Sequence, residues 1–289
     1  MSQPPATLAE LIAPLTLAEF SEILRRRELT YRQGTNAQRY APLIGWQAVR
    51  RLLAEGKHPT YRDAVRVTKE SAYVPPGKWM DDGKIDVAKL DAYLAGGYSV
   101  VLNRIEPFVP PLAGVCEDIM TRLSEGSFIG VVVTSGAGDG AFLTHFDPED
   151  LIILQIEGTK RWQVFGPPVA YPLRGMAKRT LENSELLFDE VLEPGDLLFV
   201  PGGYWHHCQS GLSTSVHIGV FMIAPTKWHA IDAMIRPLME DEMFRLPLSR
   251  LETEDRLASA EAELKRFLID KVESLNLKEF VAGWPKIAR

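Results

Sequence analysis

Apolar residues in the middle of the chain occur in short runs, a pattern that predicts β-strands rather than helices. The clearest run spans residues 150–156. Glu157-Gly158-Thr159 after it predicts a hairpin turn into a returning strand at residues 160–165. Further strands are predicted at residues 99–102, 130–134, 197–200 and 214–218. The pattern therefore predicts an antiparallel β-core within residues 98–224.

Helical spacing of apolar residues appears on both sides of this core. The predicted helices cover residues 6–27 (as one or two helices), 45–56, 86–94, 110–123, 226–241 and 252–274. The last two carry apolar stripes at Ile231, Met234, Ile235, Leu238, Leu257, Leu264, Phe267 and Leu268. We expect residues 1–97 to pack on the core and residues 225–289 to form a helical region. Its stripes would pack on the core or on a second subunit.

A histidine and a carboxylate precede the central run at a spacing that suits metal binding. His145 and Asp147 are two positions apart, and such side chains point to one side of an extended strand. About sixty residues later the Pro201-Gly202-Gly203 turn leads to His206 and His207. Only one of these two adjacent histidines can face the same interior. Two imidazoles and one carboxylate on one face leave the other side of a metal open, which suits non-haem iron.

Two segments extend this motif and resemble the JmjC/cupin-type 2-oxoglutarate oxygenases. Residues 143–165 match the family's ligand segment followed by Leu-Gln-x-x-Gly-x-Lys-Arg-Trp, and residues 192–217 match its Glu-Pro-Gly-Asp, aliphatic run, proline and histidine. The most similar subgroup in pattern is the ribosomal oxygenases and asparaginyl hydroxylases. The resemblance implies a mainly β fold with α additions, a double-stranded β-helix (jelly-roll) core flanked by N-terminal helices and a C-terminal helical unit. It also implies Fe(II), with 2-oxoglutarate and dioxygen as cosubstrates.

The resemblance further implies roles for single residues. His145, Asp147 and His206 would be the iron ligands. His207 would then face away. Lys160 would anchor the distal carboxylate of 2-oxoglutarate, because a buried ammonium needs a counter-charge that a dicarboxylate supplies. The alternative for Lys160 is a solvated residue beside the hairpin turn.

Other polar residues are candidates for the cosubstrate pocket. Ser215 and His217 share one face of a predicted strand, and related oxygenases have a similar Ser-x-His there. The alternative for His217 is a structural histidine. Some relatives place an asparagine in the strand before the ligand segment, where this chain has residues 130–134. Thr134 and Thr144 are therefore candidate replacements.

Aromatic residues near the predicted site are candidates for substrate binding. Tyr204 and Trp205 precede the histidine pair and are placed at the mouth of the barrel, with Tyr73 and Trp79 as further candidates. The alternative for all four is packing in the core. The glycine-rich residues 136–140 predict a lip of the barrel and not a dinucleotide fingerprint, because they do not open a helix.

Composition limits the partners and the compartment. The 289 residues are 46% hydrophobic and carry a net charge of −6, which fits one catalytic domain with helical additions and disfavours a nucleic-acid partner. No apolar run is long enough to span a membrane, and no signal-peptide pattern is seen. Only two cysteines occur, Cys116 and Cys208, which fits a reducing compartment. We therefore expect a cytoplasmic protein. Cys208 is an alternative metal ligand.

The resemblance implies hydroxylation of a side chain in a protein or peptide, with the β-carbon of His, Asn, Asp or Arg as the leading target. A natural-product precursor peptide is one substrate class. The resemblance also implies a homodimer formed through the C-terminal helices. One alternative is a cupin-type metal isomerase or hydrolase that does not use 2-oxoglutarate, and Lys160 weighs against it. Another is a non-catalytic peptide-binding module, and the complete ligand set weighs against that.

Overall fold

The structure is a computed structural model that describes residues 3–60, 64–135, 142–176, 181, 184–211, 213–248 and 253–287. The chain divides into two compact units, Met1–Ile223 and Ala224–Arg289. The predicted site residues all belong to the first unit.

The first unit contains the strands and five of the helices. The strands are β1 (Thr30–Arg32), β2 (Val65–Lys69), β3 (Ala72–Val74), β4 (Met80–Asp81), β5 (Lys84–Ile85), β6 (Ser99–Asn103), β7 (Gly126–Thr134), β8 (Asp150–Glu157), β9 (Lys160–Gly166), β10 (Glu185–Leu192), β11 (Leu197–Val200), β12 (Trp205–Ser210) and β13 (Ser215–Ile223). The helices are α1 (Leu8–Ile12), α2 (Leu17–Arg26), α3 (Trp46–Ala54), α4 (Val87–Ala95) and α5 (Pro110–Leu123). Helices α3, α4 and α5 confirm the predicted segments to within one residue at the start and two at the end.

Two antiparallel sheets form the core of this unit. The larger has the strand order β1-β11-β8-β13-β7-β6-β2-β3, and the smaller has the order β10-β9-β12. This sheet-rich core with helical additions confirms the predicted fold class. The predicted hairpin at Gly158 was wrong, however, because β8 pairs with β11 and β13 whereas β9 pairs with β10 and β12. The turn instead carries the chain from one sheet to the other.

The central part of strand β8, Leu151–Leu154, is apolar, as expected of a strand that is buried on both faces. Ile152, Leu154 and Ile156 belong to one hydrophobic cluster, which includes residues of α1 to α5. The alternate residues Leu151 and Ile153 belong to a second cluster with residues of the smaller sheet. The period of two thus separates a helix-covered face from the face that looks into the barrel.

The N-terminal helices are fixed to the rest of this unit by caps and core contacts. Thr7 caps α1 in a capping box with Glu10, and the N–H of Leu8 donates to Asp118 of α5 at 2.9 Å. In α2 the ring of Phe20 packs edge-on against Phe199 of β11 at 5.4 Å. These contacts tie α1 to α5 and α2 to the larger sheet.

The second unit is helical. Its helices are α6 (Lys227–Ile235), α7 (Glu242–Arg245), α8 (Glu254–Glu273) and α9 (Leu277–Ile287), with a 3-10 helix at Arg236–Glu240. Helices α7 and α9 were not predicted from the sequence. Within α8, apolar side chains that are at least 37% exposed occur at Leu257, Leu264, Leu268, Ile269 and Val272. Among the described residues, no helix is long and apolar enough to cross a membrane.

Candidate metal centre

Three side chains from two segments converge inside the barrel. His145, Asp147 and His206 each offer one ligand atom, and these atoms lie within 4.8 Å of one another. Oδ2 of Asp147 is 3.6 Å from Nε2 of His206 and 4.0 Å from Nε2 of His145. No other such cluster of His, Cys, Asp or Glu occurs among the residues that the structure describes.

Backbone hydrogen bonds join the two segments directly. The N–H of His145 donates to the carbonyl of His206 at 3.1 Å, and the N–H of His206 donates back at 2.7 Å. The N–H of Gly203 donates to the carbonyl of Asp147 at 2.8 Å. The relative positions of the three side chains are therefore set by the main chain before any metal binds.

The segment with His145 and Asp147 was predicted to be an extended strand, and this was wrong. His145 forms only an isolated bridge with His206, and β8 begins at Asp150. Pro148 has no N–H and cannot continue a hydrogen-bonded ladder. The single bridge is still enough to bring His145 and Asp147 to the same partner strand.

The turn before β12 requires its two glycines. A Cβ atom at Gly202 would lie 2.5 Å from the carbonyl oxygen of Pro148, and one at Gly203 would lie 2.1 Å from that of Val169. Gly203 also has a φ of +92°, which favours glycine. This close approach brings the start of β12 against the segment that carries Asp147.

Hydrogen bonds at Nδ1 leave Nε2 of both His145 and His206 as the atom that can bind a metal. Nδ1 of His145 lies 2.8 Å from the carbonyl of Leu143, and Nδ1 of His206 lies 3.2 Å from that of Tyr204. A carbonyl can only accept, so each Nδ1 carries a proton, which leaves Nε2 as the nitrogen that can bind a metal. Burial lowers the pKa of His206 to about 3, with the nearby His145 acting in the same direction. His206 is thus neutral at pH 7, as a metal ligand must be.

Burial and nearby positive groups shift the pKa of Asp147 in opposite directions. Burial raises the pKa of its carboxyl, while His145, Arg174 and Arg66 act to lower it. A divalent cation between the carboxylate and the two imidazoles would compensate the buried charge. The donor set of two nitrogens and one oxygen fits Fe(II).

His207, the other candidate third ligand, is not part of the cluster. Adjacent residues of β12 alternate, and His207 pairs across the smaller sheet with Gln163 whereas His206 pairs with Val164. Cys208, the alternative ligand considered from the sequence, does not belong to the cluster either.

Lys160 is enclosed at the bottom of the barrel. Its side chain is fully buried, and Nζ donates to Oγ1 of Thr134 at 3.1 Å and lies 3.4 Å from Nδ1 of His217. An ammonium can only donate, so Nδ1 of His217 is the acceptor. No described carboxylate lies within ion-pair distance of Lys160, and burial lowers the pKa of Lys160. The hypothesis of a solvated hairpin residue was therefore wrong.

The remaining predicted pocket residues fall into two groups. Ser215 is fully buried and accepts a hydrogen bond from Gln155 at 2.9 Å, next to Thr134 across the sheet. Burial lowers the pKa of His217, whose ring packs edge-on against Trp162 at 5.3 Å. Thr144, in contrast, is exposed and lines the outer part of the cavity.

A cavity of about 770 Å³ leads to the cluster from outside. His145, Asp147 and His217 line it. Its wall also contains three arginines that the sequence analysis missed, Arg66, Arg104 and Arg174. None of them is close in sequence to the ligand motif except Arg174, and only strand pairing would have revealed Arg66.

The aromatic candidates are distributed differently from the prediction. Trp205 lines the cavity, is only 7% exposed and packs edge-on against Phe146 at 4.9 Å. Tyr73 also lines the cavity and is 54% exposed. Tyr204 does not line it and donates its hydroxyl to the carbonyl of Arg27 at 3.4 Å. Trp79 is a core residue, 3% exposed. The predicted lip at residues 136–140 lies outside the described residues.

Comparisons with known proteins agree with this arrangement. Residues 112–230 match the family model described as JmjC domain. The chain is 26% identical over 250 residues to the bifunctional lysine-specific demethylase and histidyl-hydroxylase NO66 of Drosophila persimilis, which covers 82% of this chain and 34% of that protein. It is 32% identical over 106 residues to ribosomal oxygenase 2 of Mus musculus, which covers 36% of this chain and 23% of that protein. The chain thus spans about a third or less of the length of these relatives.

Solved structures share the fold. The Escherichia coli ribosomal oxygenase YcfD aligns with a TM-score of 0.55 and 16% identity, over 90% of this chain and 67% of that one. A YcfD structure in complex with cobalt and 2-oxoglutarate aligns with a TM-score of 0.53 and 15% identity, over 88% of this chain and 67% of that one. At these identities the likeness concerns the fold.

Proposed function

We propose that this chain, whose residues 112–230 match the JmjC-domain family model, is an Fe(II)- and 2-oxoglutarate-dependent oxygenase that hydroxylates an amino-acid side chain in a protein or peptide. The observation that carries the proposal is the convergence of His145, Asp147 and His206 within 4.8 Å at the inner end of an open cavity. Two relatives support it, one named a histidyl-hydroxylase and one, YcfD, solved in complex with cobalt and 2-oxoglutarate.

His145, Asp147 and His206 would hold the metal. With 2-oxoglutarate and dioxygen as cosubstrates, Fe(II) would supply the oxidising chemistry by which one atom of dioxygen enters a substrate C–H bond and the other enters succinate, while 2-oxoglutarate loses carbon dioxide. The chain's own contribution is positional. Backbone carbonyls at Leu143 and Tyr204 fix the ring orientation of His145 and His206, so that no ligand must reorient when the metal binds.

Lys160 and Thr134 bind the distal carboxylate of 2-oxoglutarate. The buried ammonium has no described carboxylate partner and is already oriented by Thr134 and His217. A buried cation of this kind is costly by itself, and a dicarboxylate converts the cost into a charge-assisted hydrogen bond. An isomerase or hydrolase that does not use a dicarboxylate offers no partner for this charge.

The substrate side chain enters through the cavity. His, Asn, Asp and Arg are the candidate targets of hydroxylation, in a protein or in a precursor peptide. Thr144, Trp205 and Tyr73 form part of the wall that positions it and excludes water. Tyr204 is not assigned a substrate contact.

The proposal includes a homodimer in the cytoplasm. Exposed apolar residues on α8 recur at helical spacing at Leu264, Leu268 and Val272, as expected of a helix that packs on another subunit. Light scattering on the purified chain tests this, with Leu268→Glu expected to shift a dimer to a monomer and Lys265→Glu, at an exposed polar site, to leave it unchanged. A monomeric wild-type chain contradicts the dimer. Fractionation of the producing cells tests the location.

Succinate formation tests the activity. Anaerobically iron-loaded protein receives 2-oxoglutarate and then air, and succinate is measured for the wild type and for His145→Ala, Asp147→Ala, His206→Ala and His207→Ala. We expect iron-dependent succinate that is lost in the first three variants and retained in His207→Ala. Metal binding without binding or consumption of 2-oxoglutarate would favour the isomerase or the peptide-binding module.

A further inference from the structure

Building on the proposed function, we infer that the cavity recognises a carboxylate of the substrate, an aspartyl or glutamyl side chain, through Arg66. None of the names of the relatives assigns such a preference. The inference follows from the position of Arg66, its contacts and the balance of charge in the cavity.

Strand pairing places Arg66 in one row with His217 on the cavity wall of the larger sheet. Arg66 of β2 pairs with Val101 of β6, Val101 pairs with Val132 of β7, and Val132 pairs with His217 of β13. All four residues line the cavity and form one row across the larger sheet. His217 is the residue of this row that accepts from Lys160. Arg66 therefore lies three strands away from His217, on the wall of the same cavity.

Aromatic contacts connect Arg66 to the cluster. Its guanidinium carbon lies 5.6 Å from the ring centroid of Phe142, and that centroid lies 5.4 Å from the centroid of His145. The guanidinium is therefore no more than about 11 Å from the ring of His145. A carboxylate that binds Arg66 thus lies in the same cavity as His145 and Asp147.

Arg66 is oriented by its neighbours but has no acidic partner among the residues that the structure describes. Nη1 donates to the hydroxyl of Tyr73 at 3.3 Å, and the guanidinium also lies 5.6 Å from the Tyr73 ring centroid. Nε is buried and has no hydrogen-bond partner in the described part of the chain. No carboxylate oxygen of a described residue lies within 4.0 Å of the guanidinium. A planar donor group that lies near two aromatic rings and has no described acidic partner is suited to a planar carboxylate.

The balance of charge in the cavity points the same way. Its described lining contains Arg66, Arg104 and Arg174 but only two carboxylates, Asp147 and Glu149. Arg174 and Glu149 form an ion pair, and Asp147 faces the metal position. This local excess of positive charge contrasts with a chain whose net charge is −6. An anionic substrate is attracted, and a cationic one is repelled.

Arg104 extends the positive surface toward solvent. Its guanidinium lies 5.0 Å from the ring centroid of Phe128, and Phe128 stacks on Phe221 with a centroid distance of 4.6 Å. This platform can support the substrate main chain while Arg66 binds the acidic side chain. Of the candidate target residues, Asp fits the cavity and Arg does not.

Direct binding tests the inference without turnover. The full chain is loaded with Mn(II) and 2-oxoglutarate under nitrogen and titrated calorimetrically with blocked pentapeptides Ala-Ala-Xaa-Ala-Ala, where Xaa is Asp, Glu, Asn, Gln or Arg, and with free aspartate and glutamate. We expect the Asp or Glu peptide to bind about tenfold or more tightly than its amide counterpart, as expected for a charge-assisted bond, and the Arg peptide to bind most weakly. Tighter binding of the free amino acids would make them the source of the carboxylate.

Variants assign the preference to Arg66. Arg66→Gln should remove the preference for acid over amide, and Arg66→Lys should retain part of it. Arg50→Gln is the matched control, because Arg50 forms an ion pair with Asp91 and does not line the cavity. Circular dichroism and the melting temperature verify that Arg66→Gln is folded.

The outcomes separate the two proposals. Equal affinity for acid and amide peptides, tighter binding of the Arg peptide, or no measurable binding of any acidic ligand would overturn the inference while 2-oxoglutarate binding still supports the oxygenase. Loss of 2-oxoglutarate affinity in Arg66→Gln with an unchanged acid preference would also overturn it, since Arg66 would then be a cosubstrate residue. Failure of the wild type to bind 2-oxoglutarate contradicts the oxygenase itself.

Discussion

The two ends of the barrel interior each contain a cation without a described carboxylate partner, but the surroundings of the two cations differ. Lys160 at the inner end is fully buried, beside the buried side chains of Thr134 and Ser215. Arg66, toward the mouth, lies beside Tyr73, which is 54% exposed. The inner end is closed to solvent, whereas the outer end is open. Under the proposed function, the closed end would hold a cosubstrate of constant size and the open end would select the substrate.

Substitution of a predicted metal ligand, His145, Asp147 or His206, should have the largest effect on activity. Asp147→Ala removes the only carboxylate of the three-residue cluster. We expect metal affinity to fall by more than about 100-fold, which exceeds the loss expected from mutating a residue that only hydrogen-bonds a ligand. Succinate formation should disappear. Titration with Mn(II) and with Co(II) measures the affinity, and His207→Ala is the control. Retained metal binding in Asp147→Ala would show that the cluster is not the metal site.

Loss of the cation at the inner end should have the next largest effect. Lys160→Met should weaken 2-oxoglutarate binding by about 100-fold, because it removes one partner of a buried charge pair. In the absence of 2-oxoglutarate the same variant should melt at a higher temperature, because an uncompensated buried charge is gone.

A neighbouring residue provides the control for this prediction. Arg161→Met changes the next residue of β9, whose side chain is 47% exposed and paired with Asp189. It should leave the affinity for 2-oxoglutarate unchanged. A lower melting temperature in Lys160→Met would contradict the assignment of Lys160 as an uncompensated buried charge. Equal effects of Lys160→Met and Arg161→Met on 2-oxoglutarate binding would contradict its assignment as the cosubstrate anchor.

Binding of 2-oxoglutarate should depend on pH through Lys160. Burial lowers the pKa of Lys160 below its usual 10.5. As pH rises through the folded-state pKa the ammonium loses its proton, and the affinity for 2-oxoglutarate should fall by up to about tenfold per pH unit. Affinity measured at successive pH values tests this, and a profile that is flat up to 10.5 would contradict it.

Stability without the cosubstrate should change in the opposite direction. Between the lowered pKa and 10.5 the unfolded chain holds a proton that the folded chain has released, so the Lys160 contribution to the free energy of unfolding rises with pH. Subtracting the pH profile of Lys160→Met isolates this contribution.

Substitution of Arg104 should have the smallest effect of the changes proposed here on ligand affinity. Arg104→Gln removes a charge that is only partly buried, so we expect the affinity for an acidic peptide to fall by about threefold. The affinity for 2-oxoglutarate should not change, which calorimetry with both ligands can establish. A larger loss than that of Arg66→Gln would move the recognition site from Arg66 to Arg104.

The strands around the site were predictable because their signals are local. The apolar run of β8 and the glycine turn after it gave its start and its end within one residue. The pairing of β8 was not predictable in this way, because Gly158 connects two sheets and a turn signal does not distinguish that from a hairpin.

The candidate site was predictable only where its residues lie in one motif. His145, Asp147 and Lys160 occur within one short segment that resembles a known family, and the structure brings the first two together and buries the third. Arg66 precedes that segment by many residues and reaches the cavity through the pairing of β2 with β6. Its role depends on tertiary contacts that a single sequence does not contain. The ligand roles themselves stay predictions until metal binding is measured.

The paired backbone hydrogen bonds between His145 and His206 hold the predicted ligand segments together without a metal ion. Folding has already met the entropic requirement of bringing the ligand segments together, so an ion can leave and return without unfolding the chain. A rigid three-ligand face that does not depend on its ion accepts any divalent ion of suitable size, and nitrogen and oxygen donors favour ions late in the first transition series over iron. Zinc or copper should therefore compete with Fe(II) for these ligands and inhibit turnover, and chelation should reverse the inhibition.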